Sequence, residues 1–550
     1  MYRPGTPRTA EPLTINPGPL LPPRPRSPAA PAPAPAMAAV GTSGGSGRPP
    51  SPANPGSPPV TSSPLQPLLE RAAAIEAELA QGTDKPFTEV TRCHFGDAVA
   101  AGHQPAAFLR QVAAICAYPE LLGAECVPAD AKRRAGQILR HLQGGSPGAY
   151  NLEYVTDTVA ESVARYLERR DGGIPSDPRC VVPCGGTAAA MVVSAARGPA
   201  VAPPRPWEHR GPSSRRGSSR QDVMSLLVDE TAAQPTGVLV PVPGPPLHGA
   251  AARLAGAVAV PYPLAEERGW AVDGDAVRRA LGRARARCLP KALCVVNPGD
   301  PTGHVLSRQS MEDIIRLAGE ENVLLLADEV QQERAFLPDR PFLSFKRVLG
   351  EMGAPLASTV QLVSFYSLSK SVGGGGFRAG FFELVNIDPS VLKCFYTWGM
   401  SVYPPILGQV MLDTAMQPPL PNDPSYPAFQ EHTQGLRRDL AHNARLVQEV
   451  LGRAPGIRCR PLHGGARAFP RIQLPPRALR QARALGLEPD VFFCQELLEA
   501  TGMVLAPGSE FGQPEGTHHV GLSLLLPAET LERVLLALTR FHAAFLRRFS

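Results

Sequence analysis

Lys370 closes the run Gln361–Phe365 as Tyr-Ser-Leu-Ser-Lys, and eight positions on, across the glycines 373–376, stands Arg378. An amine at the tip of a buried strand is desolvated, which lowers its pKa and leaves it able to form a Schiff base. An arginine at that distance can fork onto a phosphate, so the spacing predicts one small anionic ligand. Upstream, Val323–Val330 reads Val-Leu-Leu-Leu-Ala-Asp-Glu-Val, an apolar strand interrupted by Asp328. A carboxylate there needs a cation to compensate it.

These three groups, preceded by the turn Asn297-Pro-Gly-Asp-Pro-Thr-Gly303, are what pyridoxal 5'-phosphate requires. The amine takes the aldehyde, the carboxylate faces the ring nitrogen and the guanidinium holds the phosphate. Any one of them alone is a weak signal, because strand-end lysines are usually solvated and glycine runs are usually loops. Their joint order carries the reading.

At these residues the chain resembles the fold type I aminotransferases, and within them the alanine aminotransferases. The resemblance rests on Gly237-Val-Leu-Val-Pro-Val-Pro243, Leu289-Pro-Lys-Ala-Leu-Cys-Val-Val-Asn297, Ala327-Asp-Glu-Val330 and Pro507-Gly-Ser-Glu-Phe-Gly512. Ala149-Tyr150, Glu168-Arg-Arg-Asp-Gly-Gly173 and Arg540-Phe-His-Ala543 extend it from about Lys85 to the C-terminus. It implies an α/β protein of fold type I, with a mainly parallel sheet between helices in a large domain and a smaller α/β domain. It further implies a homodimer that moves an amino group between alanine and 2-oxoglutarate. Lys370 is then the catalytic amine. Asp328, Arg378, Ser367, Gly186 and Thr187 bind the cofactor, together with Asp300 and Gln331 beside its phenolic oxygen.

Several positions depart from the family pattern. Asp300 stands where an asparagine is usual and Gln331 where a tyrosine is usual, and a carboxylate facing a phenolate is repulsive unless protonated. Pro245 replaces the aromatic residue expected against the ring, and Val155 replaces a glycine expected near substrate. The motif His-Phe-Arg-Met-Thr reads His519-Val-Gly-Leu-Ser523, so Gly521 stands where the family's arginine grips the substrate's α-carboxylate. His518 and His519 are the candidates to replace it. Two readings stay open: an aminotransferase, working or weakened, and a catalytically silent relative that binds a partner.

The elements that must position these residues follow from patterning. Short apolar runs at Val238–Pro241, Ala257–Tyr262, Ala292–Val296, Val323–Ala327 and Leu362–Phe365 alternate with helical stretches, which predicts a parallel sheet covered on both faces. Ser310–Glu321 reads as one such helix, with Ser310 as its cap. Asp300, Asp328 and Lys370 lie at strand ends, where ligands of such sheets bind. The expected organisation is a disordered Pro/Ala-rich tail at 1–66, helices at 67–135 belonging to the small domain, the cofactor domain at 136–424, and the rest of the small domain at 425–550. An insertion at 196–221, rich in Arg, Pro and Ser, interrupts the phosphate-loop helix.

The net charge of +6 is located in two stretches. Arg3, Arg8, Arg24, Arg26 and Arg48 outweigh Glu11 in the tail, and Arg197, Arg205, Arg210, Arg215, Arg216 and Arg220 outweigh Glu208 in the insertion. The remainder is slightly acidic, which argues against nucleic acid as a partner. The ten cysteines are scattered without paired CxxC blocks, so neither zinc nor a disulfide scaffold is signalled and a reducing compartment fits. With no apolar run near the length of a membrane span, no membrane partner is expected. The expected location is the cytosol. The Arg-bearing, acid-poor tail keeps a mitochondrial address open, although its prolines would break a targeting helix, and Met37 offers an alternative start.

Overall fold

The computed structural model describes residues 63–103, 106–191, 223–228, 232–371, 374–388, 391 and 404–550, all within the compact unit Pro58–Ser550. The insertion, all but the last four residues of the expected tail, and Gly373 lie outside the described residues.

The central apolar runs form strands buried on both faces, whereas the run Val258–Ala265 near the sheet's edge alternates buried and exposed residues. The chain pairs β2 (Val181–Cys184), β3 (Thr236–Val242), β4 (Val258–Ala265), β5 (Ala271–Val272), β6 (Leu289–Val296), β7 (Leu324–Asp328), β8 (Leu362–Ser367) and β9 (Gly380–Val385) into one sheet, after a short β1 at Thr91–Arg92. Its order is β2-β9-β8-β7-β6-β3-β4-β5. Strands β3, β4, β6, β7 and β8 run parallel, while β9 and β5 are antiparallel to their neighbours. Alternate side chains go to opposite faces, as a pleated strand requires. Leu293, Val295, Leu325 and Ala327 pack against the helices Gly274–Ala284, Arg308–Glu321 and Phe345–Met352. Ala292, Cys294 and Leu326 pack on the other face with Met191, Met224 and Ala252.

One helix begins earlier than its pattern suggests. It spans Arg308–Glu321, and its cap is Ser307, whose hydroxyl accepts from Ser310 N, so Ser310 is the capped residue rather than the cap.

A second core joins the two ends of the described chain. The helix Gln66–Ala80 contributes Leu68, Ala72 and Ile75 to it, against the helices Tyr426–Leu451, Pro489–Thr501 and Ala528–Phe549. It also contains β10 (Ile457–Arg458), β11 (Arg467–Ala468), β12 (Arg471–Ile472), β13 (Met503–Val504) and β15 (Val520–Ser523), while Ala506 of β14 (Ala506–Pro507) packs in the core of the large sheet. Strand β1 pairs with β13, and β15 lies between β11 and β14. The helices Ala107–Ala117 and Ala129–His141, expected with this core, pack elsewhere. Their apolar faces meet Tyr366, Leu368, Phe381 and the helix Ile406–Met416, so they belong with the large sheet. The 67–135 grouping therefore divides between Gly96 and Ala106.

Candidate active site

Register at the end of the sheet brings the predicted residues together. Cys184 pairs with Gly380, Gly380 with Ser367, Phe365 with Asp328 and Asp328 with Val296, so five neighbouring strands end along one edge. Adjacent strands are about 4.8 Å apart. Ser367 and Asp328 are the last residues of β8 and β7, the turn 297–303 begins directly after β6, and Gly186, Arg378 and Lys370 each fall two or three residues from a strand end.

On the β2/β9/β8 side lies a small cradle. Gly186 has φ +100, and a Cβ built there would stand 3.2 Å from Ser367 Oγ and 3.4 Å from Arg378 Nη2. Glycine therefore allows both the backbone conformation and the approach of the two side chains. Thr187 opens the following helix with its hydroxyl buried and, among the described residues, without a hydrogen-bond partner. Arg378, held at φ 53, donates from Nη1 to Ser369 Oγ at 2.9 Å and Gly375 O at 3.1 Å. An unpaired buried hydroxyl, a side-chain-free approach and an exposed guanidinium fit a phosphate.

Asp328, 4 % exposed, finds a partner the sequence did not suggest. His248 Nε2 lies 2.9 Å from its Oδ2, and Val330 N donates to its Oδ1 at 3.3 Å. Pro245, which stands where the family's ring-stacking aromatic is expected, is the cap residue of the helix Pro246–Ala255 that carries His248, the side chain bracing the carboxylate. The signal available in the sequence was a histidine one turn into a helix that follows a strand end.

Lys370 follows β8 in a single 3-10 turn, and its Nζ donates to Gly96 O at 3.3 Å. Burial lowers its pKa, with Arg334 and Arg467 pushing the same way and Asp300 and Asp97 opposing. Asp300 accepts from Arg467 Nη1 at 2.7 Å and from Gln331 Nε2 at 3.2 Å. Burial acts to raise the Asp300 pKa, yet the pull of Arg467, Lys370 and Arg334 leaves it below the ordinary carboxylate value. Cations, rather than a proton, thus balance the Asp300 carboxylate. Arg467 was missed because it lies 167 residues from Asp300 and sits in no motif; Arg334, just past Ala327-Asp-Glu-Val330, was legible as a charged residue beside a motif but reads there as an ordinary surface arginine.

Gly521 lies in β15, opposite Ala506, where a Cβ would meet Phe511 Cε2 at 3.1 Å. Neither histidine takes the place of a side chain there. His519 is stacked on Phe469 at 4.7 Å, with its Nδ1 3.2 Å from Gln513 Oε1 and its Nε2 3.4 Å from Glu266 Oε2. The His518 carbonyl accepts from Ile472 N, and burial keeps its ring below the ordinary pKa. Val155 is buried in the core behind the sheet rather than presented to a ligand. Among the described residues no cluster of His, Cys, Asp or Glu could hold a metal ion, and no helix is long and apolar enough to cross a membrane.

Comparison with known proteins agrees with this geometry. A family model described as "Aminotransferase class I and II" matches residues 224–538. Alanine aminotransferase 1 of Bos taurus is 46 % identical over 486 residues, covering 88 % of this chain and 92 % of that protein. The Homo sapiens protein of that name is 45 % identical over the same coverage. Among solved structures, the alanine aminotransferase of Pyrococcus furiosus superposes with a TM-score of 0.64 at 18 % identity, covering 88 % of this chain and 98 % of that one, a likeness of fold.

Proposed function

We propose, since this chain belongs to the class I and II aminotransferase family, that it is a transaminase acting on alanine and 2-oxoglutarate. The family works with pyridoxal 5'-phosphate, and the cradle and the braced carboxylate fit that group. The observation that carries the reading is the convergence of Lys370, Asp328 and the Gly186–Ser367–Arg378 cradle on one sheet edge.

When bound, the cofactor supplies a ring that accepts the electrons released at the substrate's α-carbon. Thr187, Ser367, Arg378 and Gly186 would hold its phosphate. Asp328, fixed by His248, would pair the ring nitrogen and keep it protonated. Lys370 is the base: burial eases deprotonation of its amine, which lets it take a proton from the α-carbon and return it elsewhere. Asp300 and Gln331 line the neighbourhood of the lysine, and Arg467 holds Asp300 ionised.

The substrate assignment is supported by the named relatives at 45–46 % identity. A homodimer in the cytosol completes the reading: the nine described cysteines, all free thiols, support the reducing compartment, and the dimer rests on the family resemblance. Sedimentation and cell fractionation check those two parts. A catalytically silent relative is the second reading, favoured by Gly521 alone.

Borohydride reduction followed by peptide mapping tests the proposal. A pyridoxyl adduct on Lys370, with alanine shifting the visible absorbance and pyruvate accumulating when 2-oxoglutarate is present, is the expected result. An adduct without an alanine-induced shift selects the silent relative. No adduct on Lys370 removes the proposal.

A further inference from the structure

Arg334 is fully buried, yet only one nitrogen of its guanidinium is engaged. Nη1 lies 3.3 Å from Gln331 Oε1, while Nε and Nη2 have no hydrogen-bond partner among the described residues. A desolvated charge left unpaired is unfavourable, so the position is accounted for by an anion that meets it in another state. Charge in the neighbourhood points the same way. Arg334 and Lys370 both interact with Asp300 and Asp97, while Arg467 already pairs with Asp300, so the nearest carboxylate is shared among several basic groups. Glu333, a third carboxyl nearby, accepts from Tyr366 and Gln332 instead, and burial favours its neutral form.

Arg467 reaches the cluster from β11, the strand beside β15. Its guanidinium lies 5.4 Å from the centre of the Phe511 ring, the same ring a side chain at position 521 would touch, and among the described residues its Nε also lacks a partner. A guanidinium is therefore present against this ring although Gly521 supplies none.

We infer that Arg334 and Arg467 form a carboxylate clamp for the amino- or 2-oxo-acid substrate, an assignment that rests on the transaminase reading above. Gln331 is the group that gives way. Its amide spans Asp300 Oδ2 at 3.2 Å and Arg334 Nη1 at 3.3 Å, both long bonds. A carboxylate in place of the amide oxygen gains shorter, charge-assisted bonds and occupies the unpaired edge of Arg334.

The test is titration calorimetry with glutarate, a dicarboxylate that cannot be transaminated, on the protein as purified, with the Lys370 adduct measured on the same preparation. Arg334→Met is expected to weaken glutarate by about tenfold or more while leaving the ligand-free unfolding temperature unchanged or higher. Arg334→Lys keeps the charge but loses the fork, and is expected to weaken binding about threefold or more; it carries the test if the Met variant does not fold. Arg316→Ala, on the surface, leaves binding unchanged. Unchanged affinity in the Arg334 variants, or no glutarate binding by the wild type, overturns the clamp. With the adduct present, such a result leaves the transaminase reading standing. Absence of the adduct is the separate outcome that removes both.

Discussion

Asp300 carries a charge that the rest of its cluster is built around. It is paired with Arg467 at 2.7 Å, and it is the main group opposing the fall of the Lys370 pKa. Asp300→Asn restores the residue usual in the family, yet here it strips Arg467, Arg334 and Lys370 of a shared counter-ion. We expect a stability loss at the low end of the about 2 to 5 kcal/mol typical of breaking such a pair, since both side chains keep some contact with water. We also expect the acid limb of the pH–rate profile to move to lower pH, because the Lys370 amine becomes easier to deprotonate. Denaturant unfolding and a pH profile read both, and a limb that moves up contradicts the account. Glu329, the next residue after Asp328, is a different case. Burial pushes its carboxyl up to about 7 from the ordinary 4.5, against the pull of Arg170 and the bonds from Ser364 and Phe345 N. Between those values the native state holds a proton the unfolded chain has released, so this group's contribution is full below about 4.5 and lost as pH rises through 7. His94 and His304, pushed down to about 4, run the opposite way between that value and 6.5. The Glu329→Gln variant isolates the first effect. Relative to wild type it should gain about 2 kcal/mol on going from pH 5 to pH 8, measured by paired unfolding curves, and an equal pH dependence in the two proteins counts against it.

The turn 297–303 is the element through which the sheet meets the terminal core. Gly303 O accepts from His463 N at 2.8 Å and from Gly464 N at 3.0 Å, just before Arg467. Gly303 holds φ +66, and a Cβ there would lie 2.7 Å from Leu462 Cδ2. Gly303→Ala therefore costs about 1–2 kcal/mol for the left-handed backbone alone, with more once Leu462 moves. Because Arg467 hangs from the displaced segment, glutarate affinity should fall with stability; a loss of stability with binding intact would separate the turn from the site. At this scale much was readable in advance. The parallel strands, their order of appearance and the strand-end positions of Asp328 and Lys370 follow from apolar runs broken by single polar residues, a local signal. His248 beneath Asp328, and Arg334 and Arg467 around Asp300, are contacts between segments 80 to 167 residues apart for the first and last of these pairs. No periodicity reports such contacts. The antiparallel β9 went unread for another reason: its short apolar run Gly380–Val385 follows closely on the glycine-rich bridge, with no helical stretch before it to mark a strand in an alternating pattern.

At the scale of the molecule, the lysine is tied to a core made from the two ends of the described chain. Thr91 N donates to Gly502 O, Cys93 N to Val504 O, and Ser523 N to Cys93 O, which fixes the segment between β13 and β15. Three residues later Gly96 O accepts from Lys370, and His94 O accepts from Arg467 Nη2 at 3.4 Å. Loosening the terminal core should therefore be felt at the amine, whereas loosening a helix on the far face of the sheet should not. Ile75 is fully buried in the terminal core and Leu281, on the helix Gly274–Ala284, is 1 % exposed in the core against the large sheet. Truncating either to alanine opens a cavity and costs about 2–5 kcal/mol. The two variants should match in denaturant midpoint yet differ at the site: Ile75→Ala shifts the pH dependence of the cofactor's visible absorbance, and Leu281→Ala leaves it in place. Equal shifts would mean that Lys370 responds to stability in general, and the segment 91–96 would lose its role as the connection between the core and the amine.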